Sequence, residues 1–177
     1  MAVAVPIAVE AMALADIPAI QEIERLSFRT PWPSYAFEQE LTSNRLARYV
    51  VARAAGTVVG FAGLWLMVDE AHITTFAVHP GWRRLGVGRR MLLALVDAAL
   101  ALGAARMTLE VRVGNVAAQR LYAELAFVEA GRRDGYYTDD GEDALIMTTP
   151  ALRSPRMARA IWAARRRLDG AEPGGGA

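Results

Sequence analysis

The chain is expected to form a single α/β domain, a mixed, mostly antiparallel sheet flanked by helices, with an amphipathic helix added at the C-terminus. Three observations carry this expectation. Residues 49–54, 58–68 and 72–78 are β-branched and aromatic runs separated only by Ala55-Gly56 and Asp69-Glu70, a spacing that suits an antiparallel meander. From Gly88 onward, helical and extended patterns alternate instead. The length, 177 residues, is enough for one well-cored domain and short for two.

The elements follow in order. Residues 3–10 read as a first strand: the apolar N-terminus up to Ala15 lacks the basic flank of a signal peptide, and Glu10 interrupts it. A helix follows that Asp16 can cap, with Pro18 in its first turn and Ile17, Ile20, Ile23 and Leu26 as its apolar stripe. Residues 32–43 should hold a second short helix. After the meander come a helix over 88–102, a strand over 106–112, a helix over 115–125 capped by Asn115, and closing strands at 127–132 and 144–148. Past Pro150 the character changes. Residues 153–168 place Met157, Ile161, Ala164 and Leu168 on one helical face among six arginines, and a Pro-Gly-Gly-Gly tail is expected to be disordered.

Composition excludes several classes. The net charge is only +1, so gross charge points to neither nucleic acid nor membrane. No apolar run reaches a membrane span, the nearest, 91–105, being broken by Asp97, and the chain is expected to be cytoplasmic. Cysteine is absent, which rules out disulfides, zinc-thiolate sites and a cysteine acyl intermediate. All twenty Lys-plus-Arg positions are arginine.

The most informative stretch is residues 76–91, where an extended run breaks at Pro80 and passes through Arg83-x-x-Gly86-x-Gly88 into a helix. Two glycines let backbone approach an anion, and the amides they expose sit at the positive end of the following helix. Arg84, Arg89 and Arg90 add charge there. The third glycine of the dinucleotide fingerprint and the Gly-Lys-Ser/Thr of a P-loop are both missing, which leaves coenzyme A as the leading phosphate ligand. A glycine-punctuated surface turn is the bland alternative.

Arg83-x-x-Gly86-x-Gly88 after Ala77-Val78 resembles the acetyl-CoA motif of the GCN5-related N-acetyltransferase (GNAT) family. Leu109-Glu-Val-Arg112, Asn115 and Leu121-Tyr-x-x-Leu-x-Phe127 extend the resemblance over roughly residues 6–149. It implies an N-acetyltransferase domain over 1–150, with 151–177 as a basic helix and tail, and acetyl-CoA as co-substrate with no metal. Carried over by motif, backbone groups of Phe76, Ala77 and Val78 would meet the pantetheine arm and thioester oxygen. Arg84, Leu85, Gly86, Val87, Gly88 and Arg89 would hold the pyrophosphate, with Asn115 a further coenzyme contact. Glu110 would be the catalytic base and Tyr122 the acid that protonates the departing thiolate. On residue type alone, Glu110 is a solvent-facing strand glutamate and Tyr122 a core tyrosine. One departure stands out: the family usually has glycine where Ala126 stands, at the exit of the tyrosine helix.

Acyl transfer to an amine needs the amine neutral. An α-amino group with a pKa near 8 is roughly a tenth neutral at pH 7, whereas a lysine amine near 10.4 is neutral on the order of once in two thousand. Pro31-Trp-Pro-Ser-x-x-Phe37, Val68-Asp-Glu-Ala71, and Arg132-Arg-Asp-Gly-Tyr-Tyr137 followed by Gly141-Glu-Asp-Ala144 resemble segments of the ribosomal-protein alanine acetyltransferase subgroup. That resemblance implies a protein N-terminus as acceptor, the alanine of small-subunit ribosomal protein eighteen, transferred to directly in a ternary complex. Trp32 with Tyr136 or Tyr137 would wall a narrow slot, and Asp69, Glu70, Asp134, Asp139, Asp140, Glu142 and Asp143 would steer a basic chain into it. No direct nucleic-acid contact by the domain is expected, while the C-terminal helix is a candidate partner surface. A small-molecule amine as acceptor, or a non-catalytic acetyl-CoA sensor or scaffold, are the competing readings.

Overall fold

A computed structural model describes residues 5–170; the Gly-rich tail and the start of the expected first strand lie outside them. A seven-stranded sheet runs in the order β1-β2-β3-β4-β5-β7-β6. Strands β1 (Ile7–Ala11), β2 (Ala47–Ala54), β3 (Thr57–Met67) and β4 (Glu70–Val78) form the antiparallel meander. Strand β5 (Arg106–Arg112) is parallel to β4, and antiparallel β6 (Val128–Arg133) and β7 (Ala144–Thr148) complete the sheet.

Helices cover both faces. On one, Ile17, Ile20 and Ile23 of α1 (Ile17–Ser27) and Phe37 of α2 (Ser34–Ser43) pack on Tyr49, Val51 and Phe61. On the other, Leu92, Leu95 and Val96 of α3 (Val87–Ala101) meet Ala62, Leu64, Met107 and Leu109. Tyr122 and Leu125, from α4 (Val116–Glu124) and its end, join that second cluster, as do Met157, Ala164 and Leu168 of α5 (Pro155–Asp169). With apolar layers on both sides, β3 is buried continuously from Val58 to Leu64, as a central strand must be.

Two local expectations are corrected. Asp16 precedes α1 but does not cap it: its carboxylate accepts from the Ala13 N–H at 2.9 Å and pairs with Arg53 across to β2, because a 3₁₀ turn over Leu14–Asp16 already leads into the helix. Leu26 leaves the apolar stripe and stands exposed, while Glu24 is buried in its place. Asn115 caps α4 as expected, accepting from the Ala118 N–H at 3.2 Å.

Candidate active site

Parallel pairing between β4 and β5 lasts only three residues, Glu70–His72 against Arg106–Thr108. Beyond it the strands part: β4 continues against β3 and β5 against β7. The Phe76-Ala77-Val78 run therefore has no ladder partner toward β5 among the described residues; the Val78 carbonyl accepts from Arg83 Nε at 3.2 Å, and the rest of that edge is open to a ligand. Two cavities, of about 690 and 660 Å³, open beside the split and meet at Ser27, Phe28, Phe76 and Asn115. At that junction Ser27 Oγ is buried with no hydrogen-bond partner among the described residues.

The second cavity is lined by Phe76-Ala77-Val78, the Arg83–Arg89 loop and one side of α4. Gly86 has φ +79° immediately before α3, and no side chain caps that helix, so its first amides are free to bind an anion. A side chain at Gly88 would start 3.0 Å from Leu121 Cδ2, closing the gap between the loop and α4. Arg84 is itself held at φ +65°, a conformation unfavourable for a residue with a Cβ. Leu85 is exposed and Val87 lies in the core, so only their backbone groups are available to a ligand. Arg89 is occupied: its Nε and Nη2 donate to Glu124 at 2.7 and 3.1 Å. Open amides, a close-packed glycine and arginines make this a cradle that fits a pyrophosphate.

The first cavity holds the titratable groups. Glu110, on β5, is largely buried; His72 Nε2 lies 2.5 Å from its Oε2, and Arg133 Nε donates to Oε1 at 3.3 Å. The His72 hydrogen bond, with the Arg133 charge in support, holds the Glu110 carboxyl below the usual carboxylate range despite its burial. Tyr122 is buried between Phe76 and Phe127, both 5.8 Å away by ring centroid, and burial drives its phenol well above the ordinary value. One group is thus held ionised and the other held protonated. Glu24 is only 2% exposed and accepts from the Trp32 N–H at 3.0 Å; burial raises its carboxyl pKa.

Residues 17–127 match the model of the acetyltransferase (GNAT) family. The chain belongs to that family. It is 41% identical to a putative ribosomal protein bS18-alanine N-acetyltransferase of Bacillus subtilis over 79% of this chain and 93% of that protein. It is 37% identical to the ribosomal protein bS18-alanine N-acetyltransferase of Escherichia coli over 80% and 96%. The crystal structure of the Escherichia coli ribosomal-protein alanine N-acetyltransferase superposes with a TM-score of 0.74 at 34% identity, covering 82% of this chain and 94% of that one. As a GNAT enzyme, the chain is an N-acetyltransferase that uses acetyl-CoA.

Set on the GNAT fold, the residues picked out in the sequence divide between the two cavities. Ala77, Val78, Arg84, Gly86, Gly88 and Arg89 line the second cavity, Glu110 and Tyr122 the first, and Phe76 and Asn115 both. Trp32, Tyr136 and Tyr137 come together along the first cavity, the two tyrosines edge to face at 5.2 Å. The acidic cluster is less uniform than expected. Asp69, Glu70, Asp134 and Asp143 do not line the cavity, while Asp139, Asp140 and Glu142 all bind one guanidinium, that of Arg112, which also lies over the Tyr137 ring at 3.9 Å. Ala126 adopts φ +63°, the left-handed backbone that glycine usually supplies, and the Leu125 and Phe127 N–H groups both donate to the Tyr122 carbonyl, so the helix closes normally. Sequence reasoning missed His72, Glu24 and Arg112. His72 lies 38 residues from Glu110, and no local pattern announces the pair.

Proposed function

We propose that this enzyme acetylates the α-amine of a protein N-terminus, most specifically the N-terminal alanine of ribosomal protein bS18, in the cytoplasm, through a ternary complex with acetyl-CoA. The observation that carries this reading is the meeting of two cavities at Ser27, Phe28, Phe76 and Asn115, with a glycine and arginine cradle on one side and Glu110 on the other. The relatives named for bS18 alanine acetylation support the acceptor. No helix among the described residues is long and apolar enough to cross a membrane.

In this mechanism the pyrophosphate lies on the amides of Gly86 to Arg89, and the pantetheine arm follows the open edge of Phe76-Ala77-Val78. The acceptor ammonium enters past Trp32, Tyr136 and Tyr137 toward Glu24 and Glu110. Glu110 takes a proton from it, directly or through a water, and passes it on to solvent, its own carboxyl being held ionised, and the neutral amine attacks the thioester carbonyl. Backbone N–H groups on the open β4 edge stabilise the oxyanion. The tetrahedral intermediate collapses with loss of the thiolate, Tyr122 hydrogen-bonds or protonates that sulfur, and the surplus proton on the nitrogen leaves to solvent or restores the Tyr122 hydroxyl, giving the neutral amide. Lacking cysteine, the enzyme transfers acetyl without a thioester intermediate of its own. The catalytic domain spans residues 1–150, with 151–177 appended.

Mass spectrometry of a bS18-like peptide beginning with alanine, incubated with acetyl-CoA and the enzyme, tests the reading. One acetyl group on the α-amine is the expected product, with initial-rate lines that intersect. Efficient modification of free polyamines or internal lysine in place of the N-terminus would move the chain to small-amine chemistry. Binding of acetyl-CoA with no turnover on any amine would make it a sensor.

A further inference from the structure

The coenzyme cavity contains a residue that opposes its ligand. Glu124, at the end of α4, lines the cavity beside Arg84, Gly86 and Arg89, and its carboxylate takes both donors of the Arg89 fork. That pair has no net charge, and an arginine locked to a carboxylate is a poor partner for a pyrophosphate. A second cation alters the sum: Arg167 Nη1 lies 3.3 Å from Glu124 Oε1. The trio carries one net positive charge.

Arg167 comes from α5, beyond the residues that match the family model. Its position is well fixed. Ahead of α5, Arg153 donates to the carbonyls of Leu100 and Ala104 at the far end of α3. Along the helix Arg165 reaches Asp97 at 3.1 Å, and Met157, Ala164 and Leu168 are buried in the core. At the near end, Leu168 Cδ2 lies 3.3 Å from where a side chain on Gly86 would begin. The last turn of α5 thus packs against the loop that cradles the phosphates.

We propose that the C-terminal helix is part of the coenzyme site, with Arg167 holding the Glu124 carboxylate so that Arg89 can turn to the pyrophosphate of acetyl-CoA. The inference rests on reading this cavity as the coenzyme site. Arg167 is a positioning residue: it acts through Glu124, and its effect falls on coenzyme affinity and not on chemistry. Because its side chain is more than half exposed, solvent screens the interaction and the effect is modest.

Titration calorimetry of the full chain with acetyl-CoA, together with steady-state kinetics, tests it. Arg167→Gln should weaken binding by about fivefold, raise KM for acetyl-CoA alike, and leave kcat and the peptide KM unchanged. Arg167→Lys should keep most of the affinity. Glu124→Gln should bind at least as tightly as the wild type, and in that background Arg167→Gln should cost nothing further. Wild-type affinity in Arg167→Gln overturns the proposal, and so does an undiminished loss in the Glu124→Gln background. Failure of the underlying site reading looks different: Gly86→Glu would then bind acetyl-CoA as the wild type does.

Discussion

The two cavities are nearly equal in volume, yet they are built from different material. The proposed coenzyme side draws mainly on one stretch, residues 76–89, plus one side of α4 and the junction residues Ser27 and Phe28, and its glycine loop offers backbone amides. The acceptor side is assembled from the end of α1, the Trp32 segment, β4, β5, α4 with its cap, and the loop between β6 and β7, and offers side chains. A group held by backbone amides constrains the chain to adopt particular φ values in a row, and glycine spacing records that constraint. A pocket made of side chains from six segments leaves no such record. The first should fail by losing affinity, the second by losing rate.

The largest effect tests that division directly. Glu110→Gln should lower kcat by about a hundredfold or more with acetyl-CoA affinity unchanged, because the proton moves only during reaction. Near-normal turnover would take the base away from the acceptor side.

The pH profile should be almost as steep. A carboxyl whose pKa is depressed stays ionised until the pH falls through that lowered value, and a phenol whose pKa is raised stays protonated through neutrality. Neither group then limits the rate near pH 7, and kcat/KM should follow the acceptor α-amine, falling about tenfold per unit below its pKa of roughly 8. His72→Gln removes the hydrogen bond that holds the Glu110 carboxyl down, so the acid-side break set by Glu110 should move to higher pH; an unmoved break would show that the pair does not act together.

On the coenzyme side, Gly86→Glu adds a Cβ at φ +79° and a negative charge where the phosphates lie. Acetyl-CoA affinity should fall tenfold or more, about 1.4 kcal/mol, with the peptide KM unmoved. A matching rise in the peptide KM would mean that the two cavities are not separable.

The smallest effect lies outside both cavities, at the end of α4. Ala126→Gly relieves the cost of a Cβ at φ +63° and loses some of that gain to a more flexible unfolded chain, for a net stabilisation of about 0.5–1 kcal/mol. Thermal unfolding should register it as a rise of a few degrees. A change in kcat beyond about twofold would show that the helix end tunes Tyr122.

Local patterns carried the fold well where each element satisfies itself. Met157, Ala164 and Leu168 spell the buried face of α5, and Asn115 announces the start of α4. They failed where a residue answers to a distant neighbour. Asp16 looks like a cap but is drawn to Arg53, and Glu24 occupies a place in the α1 stripe that periodicity gives to an apolar residue. The acidic loop reads as a field of free charge, yet three of its carboxylates share Arg112, which lies in a different strand. Glycines, caps and stripes are visible in one dimension; ion pairs across the sheet are not.

The short pairing between β4 and β5 has a mechanical consequence. The sheet consists of two ribbons joined over three residues, with α3 packed across the seam. Each ribbon can breathe against the other at little cost in hydrogen bonds. An extended ligand arm lying in the opening, bonded to β4 as a strand would be, acts as a cross-tie that the polypeptide itself does not supply. Amide exchange at Phe76, Ala77 and Val78 should slow most when acetyl-CoA is added, and thermal stability should climb with coenzyme concentration, by about 2.7 kcal/mol at a hundred times Kd. On the proposed reading, the acetyl donor would also serve as a temporary piece of the sheet, present only while the coenzyme is bound.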